Sequence, residues 1–374
     1  MSLVEHFATL EDPRIDRKKL HSLIDIIVLS ICAIASGAEG WQGIADFGHE
    51  KLDWLRRFIS LTNGVPSHDC IAYVFARVSP EGFRDCFISW AEGVREKTEG
   101  EVIAIDGKTS CGSRDRQLGK SPLHMVSAWA WACANRLVLG QEATAEKSNE
   151  ITAIPKLLEL LDVKGCLITI DAMGCQTAIA KQIIDQQGDY VLGLKDNQPL
   201  LHEAVDDYFT LAKANHFKGI AHDYREETDK EHGRLEIRRY WICEDLKTLP
   251  NPERWAGLRS IGMVERESIS SEKTSIERRF FINSIAADAT LFAQAVRAHW
   301  GIENRLHWRL DVVMREDDCQ IKKDNSPAVM AMVRHLTLNL FEKNITAKLS
   351  LKQKRFKAAL SDDFREQAIF GQKF

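Results

Sequence analysis

Two short apolar runs in this 374-residue chain each end in an aspartate followed by a small residue. The first reads Glu101-Val-Ile-Ala-Ile-Asp106-Gly-Lys-Thr, the second Gly165-Cys-Leu-Ile-Thr-Ile-Asp171-Ala-Met-Gly. Far downstream, Arg297-Ala-His-Trp-Gly-Ile-Glu303-Asn-Arg-Leu-His-Trp-Arg-Leu-Asp311 carries a glutamate among Trp and His residues. A carboxylate just past a buried strand sits at a sheet edge, half in water and half in low dielectric. Hard divalent cations prefer oxygen ligands. Two such carboxylates on neighbouring strands, with a third from a facing helix, suit two-metal phosphoryl transfer on nucleic acid. The three residues predict an enzyme that cuts and rejoins DNA strands.

Each candidate has a blander reading. Asp106 and Asp171 could simply cap turns after strands, but the repeated pattern of apolar run, Asp and small residue favours metal binding at both. Glu303 could lie on a solvated helix face. Its company argues otherwise, because on an ideal helix His299, Glu303 and His307 fall on one stripe flanked by Trp300 and Trp308. Asp311, Glu316 and Asp317 are rival third carboxylates. The same stripe would permit zinc, but no HExxH pattern supports it. Lys195-Asp-Asn197-Gln is either a surface turn or a contact to the DNA backbone. Glu146-Lys-Ser-Asn-Glu150 is either a helix cap or a further DNA contact. His232, Arg234, Glu236, Arg238 and Tyr240 alternate onto one strand face, suited either to phosphates and a stacked base or to ion pairs facing solvent.

The elements that would position these residues follow from periodicity. Residues 1–97 predict an all-helical domain, with helices over Leu23–Ala35, Ile44–Phe58 and Phe83–Val94 and a helix start at Pro66–Asp69. From residue 98 the pattern turns to α/β. Strands are expected at Val102–Ile105, His124–Cys133, Arg136–Gln141, Leu167–Ile170 and Tyr190–Leu194, with a tight hairpin at Ala134-Asn135. Helices are expected at Thr152–Leu161 and Gln176–Gln187, with Pro155 tolerated only in a first turn. A three-strand meander followed by helix, strand, helix, strand is the order of an RNase H-like fold, in which the first and fourth strands are neighbours. Residues 98–200 are therefore the first part of the core. Residues 201–286 form a β-rich antiparallel insertion, with strands at Glu226–Trp241, Gly257–Ser268 and Glu277–Ile282. Residues 287–342 resume the core with a helix over Asp288–Arg309, and 343–374 form a basic helical tail.

The bulk numbers bound the function class. Hydrophobic content of 44% with 28% charged residues is ordinary for a soluble globular chain of two or three domains. Nine cysteines without a CxxC pair argue against a disulfide framework or zinc ribbon and suit reduced thiols in a cytoplasmic protein. No secretion signal or membrane span is expected, since the run from Leu23 is short and contains Asp25. A net charge of −4 argues against a simple nucleic-acid binder. It is compatible with a nuclease whose basic residues line only the DNA path.

The motifs AIDGKT, EKSNEITAIP, TIDAMGCQ, HGRLEIR and HWGIENRLHWRLDV resemble the H-repeat-associated (ISAs-type) group of bacterial insertion-sequence transposases, members of the DDE superfamily. The stretch from Asp12-Pro-Arg14 through Ser36-Gly-Ala-Glu-Gly-Trp41 resembles their associated N-terminal domain, so the likeness spans nearly the whole chain. The resemblance implies that Asp106, Asp171 and Glu303 are a catalytic triad binding two Mg²⁺ ions, with Mn²⁺ able to substitute. It implies double-stranded DNA with terminal inverted repeats and a target DNA as partners, and a homodimer in a synaptic complex. It also implies a bacterial, nucleoid-associated location and no membrane partner. The expected DNA contacts are Lys108, Lys195, Asn197, Arg234, Arg238, Arg297, His299, Asn304 and His307. Related cut-and-paste enzymes carry Tyr-x2-Arg-x3-Glu-x6-Lys around the glutamate. Here Val296, His299 and Leu310 occupy the Tyr, Arg and Lys positions, a departure at all three with Arg297 and Arg305 as substitutes, so the sequence does not decide whether a hairpin intermediate carries over. A catalytically silent DNA-binding relic and a general RNase H-fold nuclease are the competing expectations.

Overall fold

The computed structural model describes residues 2–116, 118–131, 136–144, 150–231, 234–270, 273–345 and 348–371. The expected hairpin at Ala134-Asn135, the stretch 146–149 and His232 lie outside the described residues. Among the described residues, nine strands pair in the order β3-β2-β1-β4-β5-β9-β8-β7-β6, a mixed sheet. They are β1 (Val102–Ser110), β2 (Leu123–Ala130), β3 (Val138–Thr144), β4 (Leu167–Ile170), β5 (Asp189–Leu194), β6 (His222–Glu231), β7 (Arg234–Cys243), β8 (Ser260–Ile269) and β9 (Thr274–Asn283). The chain divides into two compact units. One comprises Met1–Lys97, Gly107–Asn149 and Glu303–Phe374; the other comprises Thr98–Asp106 and Glu150–Ile302.

In the first unit the N-terminal helices are α1 (Leu3–Phe7), α2 (Leu23–Ala35), α3 (Trp41–Glu50), α4 (Leu52–Leu55), α5 (His68–Phe75) and α6 (Pro80–Val94). Ser22, Ser67 and Ser79 cap α2, α5 and α6 by accepting from backbone N–H groups of the first turn. After Glu303 come α11 (Trp308–Val312), α12 (Ser326–Lys343), α13 (Leu351–Leu360) and α14 (Asp362–Ile369). Helix α12 is buried on every face. Its Asn339 side chain both accepts from Val138 N–H (2.9 Å) and donates to Val138 C=O (2.8 Å), standing in for a strand partner where the β2–β3 register shifts. The basic C-terminal tail is partly internal. Lys354 donates to the carbonyls of Phe341 and Asn344 at the end of α12, and Arg355 to that of Ile34 in the last turn of α2 and that of Ala38 just after it.

The second unit has the predicted core order. Strand β1 pairs in parallel with β4, and β4 in parallel with β5. Helices α7 (Glu150–Leu160), α8 (Thr177–Asp185), α9 (Pro199–Ala214) and α10 (Ala289–Gly301) complete it. Four features differ from those that periodicity predicts. Strand β1 continues past Asp106 to Ser110. Pro155 lies beyond the first turn of α7. The stretch expected as one strand at 226–241 is two antiparallel strands, β6 and β7. Finally, the opening of the expected β-rich insertion is the 16-residue helix α9. The insertion strands are antiparallel as expected, and β9 pairs with β5, extending the core sheet. Helix α10 packs close to β8 because Gly262 has no side chain; a Cβ there would lie 2.5 Å from the Phe292 ring.

Candidate functional site

The two aspartates come together through strand register. Ile105 on β1 is aligned with Ile170 on β4, so Asp106 and Asp171 are the next step on adjacent parallel strands, with backbones about 5 Å apart. Both are half-buried. Beyond β4 the chain makes a 3-10 turn, Ala172–Gly174, and Asp171 caps it. Its Oδ1 accepts from Met173 N–H (3.0 Å) and Gly174 N–H (3.4 Å). One carboxylate oxygen is thus committed to the turn. Two glycines permit this path. A Cβ on Gly174 would lie 2.2 Å from the Ile170 side chain, and one on Gly193 of β5 would lie 3.2 Å from Ala172 N.

Helix α10 packs on β4 and brings His299 to the same pair of strands. The Nδ1 of His299 is 3.3 Å from Thr169 Oγ1, two residues before Asp171. Burial holds this imidazole below the usual histidine range, outweighing the opposing pull of the Asp171 carboxylate, so the ring is neutral at pH 7. His299 therefore packs against the site as a neutral hydrogen-bonding group.

Glu303 is exposed and begins the first unit's C-terminal segment. The backbone from Ile302 to His307 is a π-helix, so the ideal-helix stripe of His299, Glu303 and His307 does not hold. Turns of this kind are rare and frequent at functional sites. Val296 and Leu310, at the Tyr and Lys positions of the related signature, are core residues with 1% and 0% exposure. Among the described residues, no three His, Cys, Asp or Glu side chains are gathered closely enough to hold a metal ion. The donor chemistry of the aspartate pair nonetheless fits a hard cation, being all carboxylate oxygen.

The expected DNA contacts separate into two groups. Lys195 and Asn304 are exposed; Arg234 is exposed and 3.6 Å from Glu236, and Arg297 and His307 are half-buried. Others are committed to the protein. Lys108 is buried, its ammonium 2.6 Å from Asp311, 3.2 Å from Glu316 and 3.3 Å from Asp317. Burial alone would lower its pKa, but those carboxylates more than reverse the effect, so it is a permanent cation serving its own chain. The three rival carboxylates are thereby accounted for as well. Arg238 is buried and paired with Glu236, with Asp229 at 4.0 Å. Tyr240 is wholly buried and unavailable for stacking a base. Across β6–β9 the arginines meet carboxylates, Arg239 with Glu226 and Glu267, Arg266 with Glu236, and Arg278 with Glu265. Both faces of these strands are therefore ion-paired, Arg238 and Arg266 on one and Arg239 and Arg278 on the other. Asn197 donates to the carbonyls of Ala172 and Cys175.

Comparison with known proteins adds the family. The description "Transposase DDE domain" matches residues 98–340, and "DDE_Tnp_1-associated" matches residues 4–91. The H repeat-associated protein YhhI of Escherichia coli K12 is 41% identical over 374 residues, covering 99% of this chain and 98% of its own length. YbfL of the same strain is 40% identical over 374 residues, with 99% and 98% coverage. A shorter relative, "Inactive transposase YbfQ" of that strain, is 47% identical over 75 residues, or 20% of this chain and 89% of its own. Among solved structures, piggyBac transposase in a synaptic complex with hairpin DNA aligns with a TM-score of 0.48 at 11% identity, covering 97% of this chain and 76% of that one.

Proposed function

On the footing that this chain belongs to the DDE transposase family, we propose that it cleaves DNA at the ends of an insertion-sequence-like element and joins the freed ends to target DNA. Asp106, Asp171 and Glu303 are the proposed triad. The observation that carries this reading is the register of β1 and β4, which sets two carboxylates side by side at the end of their parallel pairing. Divalent cations bound there, Mg²⁺ or its substitute Mn²⁺, would supply activation of the attacking water and stabilisation of the departing 3′ oxygen. The chain's own residues do the positioning. Asp171 is fixed by its two N–H donors, and the neutral His299 shields the strand ends without adding positive charge. The 3′-OH released by hydrolysis then serves as the nucleophile on target DNA, so no covalent protein–DNA intermediate is required.

The partners follow from that chemistry. They are double-stranded DNA ending in terminal inverted repeats, a target duplex, and a second copy of the chain to hold two ends in one synaptic complex. Exposed Lys195, Arg234 and Asn304 are the proposed DNA contacts. No described helix is long and apolar enough to cross a membrane, and a DNA substrate implies work at the bacterial nucleoid.

The test is nicking of labelled DNA carrying the flanking inverted repeats, in Mg²⁺ or Mn²⁺ and in EDTA. Metal-dependent nicks with 3′-OH ends at the repeat boundary are expected, and are lost in Asp106→Ala and Glu303→Ala while end binding persists. Full cleavage by either variant would remove that residue from the triad. Binding without cleavage in either metal would favour a silent relic.

A further inference from the structure

We infer that Asn197 and Gln198 are positioning residues that hold the Asp171 carboxylate in place, and that Asn197 is not a DNA contact. The inference rests on the proposed metal-binding role of Asp171. That carboxylate is held by the N–H groups of Met173 and Gly174, so it can be no better fixed than the short turn that supplies them. The turn packs against Ile170 and Ile154, but a single 3-10 turn makes few backbone bonds of its own. Backbone N–H groups of Cys175 and Gln176 serve Ala172 C=O (3.2 Å) and Gly174 C=O (2.9 Å), and side-chain amides add to them. Asn197 Nδ2 donates to Ala172 C=O at 2.5 Å and reaches Cys175 C=O at 3.5 Å. Gln198 Nε2 donates to Cys175 C=O at 3.1 Å, and Gln176 Nε2 to Met173 C=O at 3.3 Å.

Asn197 and Gln198 are themselves fixed, because their segment turns back on itself through Gln198 N–H to Lys195 C=O (3.0 Å) directly after β5. The close approach of Gly193 to Ala172 brings that strand end against the Asp171 turn. The chemistry of the amide also excludes the alternative. A phosphate only accepts hydrogen bonds, and an asparagine amide has two donor hydrogens. Asn197 directs both at protein carbonyls and has only an acceptor oxygen left. Lys195, exposed on the same turn, carries no such commitment to the Asp171 turn.

The test uses the full-length protein and two readouts, binding of Mn²⁺ alone by titration calorimetry and binding of the repeat-end duplex in EDTA. Loss of a group that orients a metal ligand typically costs 10–100-fold in metal affinity. Asn197→Ala is expected to weaken Mn²⁺ binding by about tenfold or more and to leave metal-free DNA affinity unchanged. Lys195→Ala is expected to do the reverse. Asn197→Asp keeps the shape and sets a carboxylate oxygen against a carbonyl; it should lose Mn²⁺ binding likewise and serves if the alanine variant does not fold. Unchanged Mn²⁺ binding in a folded Asn197 variant, or a loss of DNA affinity matching that of Lys195→Ala, would overturn the inference. Mn²⁺ binding that survives Asp171→Asn would instead overturn the role of Asp171 on which it rests.

Discussion

Replacing Lys108 with methionine tests the electrostatic logic of the first unit. Lys108 is 9% exposed and its ammonium faces three carboxylates, of which Glu316 is only 2% exposed. Methionine keeps most of the side chain's volume but leaves those carboxylates with no neutralising partner. Removing one member of a buried ion pair costs about 3–5 kcal/mol, mostly the penalty of the charge left behind. For a unit of about 200 residues this is a fall of roughly 6–20 °C in apparent melting temperature at neutral pH. The pH dependence is the sharper signature. Asp311 already sits above the usual carboxylate range, through burial and through Asp317 and Glu316, with Lys108 opposing. Without the lysine only the raising causes remain. A carboxylate whose folded pKa is raised binds more protons folded than unfolded, so its contribution to stability is present at low pH and lost as pH rises through the folded pKa. Lys108→Met is therefore expected to be most destabilised near pH 8 and to recover towards the parent near pH 5. Melts of both proteins across that range, followed by circular dichroism, give the comparison. A deficit that is constant with pH, or one that grows on acidification, would refute the reasoning.

Two further predictions concern packing and protonation. His335 is buried in α12 and burial holds its pKa down to about 3, so the native state binds fewer protons than the unfolded state between about pH 3 and 6.5. Stability should fall as pH drops through that window, and His335→Gln should flatten the slope in acid titrations monitored by fluorescence. Gly174→Ala places a Cβ 2.2 Å from the Ile170 side chain. It should cost about 1–3 kcal/mol in urea melts by forcing the turn or the strand to shift. An alanine variant as stable as the parent would show that the turn is free to move.

How much of this was legible in the sequence depended on how far each residue's partners lie along the chain. The Asp106–Asp171 pairing was readable because each aspartate ends its own apolar run, and the order of elements alone puts β1 beside β4. Helix α9 was missed because its apolar positions, Leu201, Val205, Tyr208 and Phe209, are interleaved with Glu203, Asp206 and Asp207 within a stretch read as strand-rich. Lys108 follows an aspartate and a glycine and looks like a phosphate ligand until the carboxylates some two hundred residues downstream are seen to enclose it. The same holds for Arg238, whose acidic neighbours come partly from the facing strand. Asn197 had turn chemistry on its face, but the carbonyls it serves belong to backbone with no residue-type signal. The π-turn at Glu303 is invisible to periodicity, since no local residue type specifies a hydrogen bond to the fifth residue.

The pairing of β5 with β9 has a consequence for biogenesis. As the chain leaves the ribosome, β5 emerges with one edge covered by β4 and the other open until Val191 can meet Asn283. The intervening stretch of about eighty residues takes roughly 4–16 s to synthesise at bacterial rates of about 5–20 residues per second. Throughout that interval an apolar strand at the heart of the core offers unpaired backbone groups to any neighbouring extended segment. Helix α9 follows β5 directly but packs on β9, so its own buried face waits for the same strand.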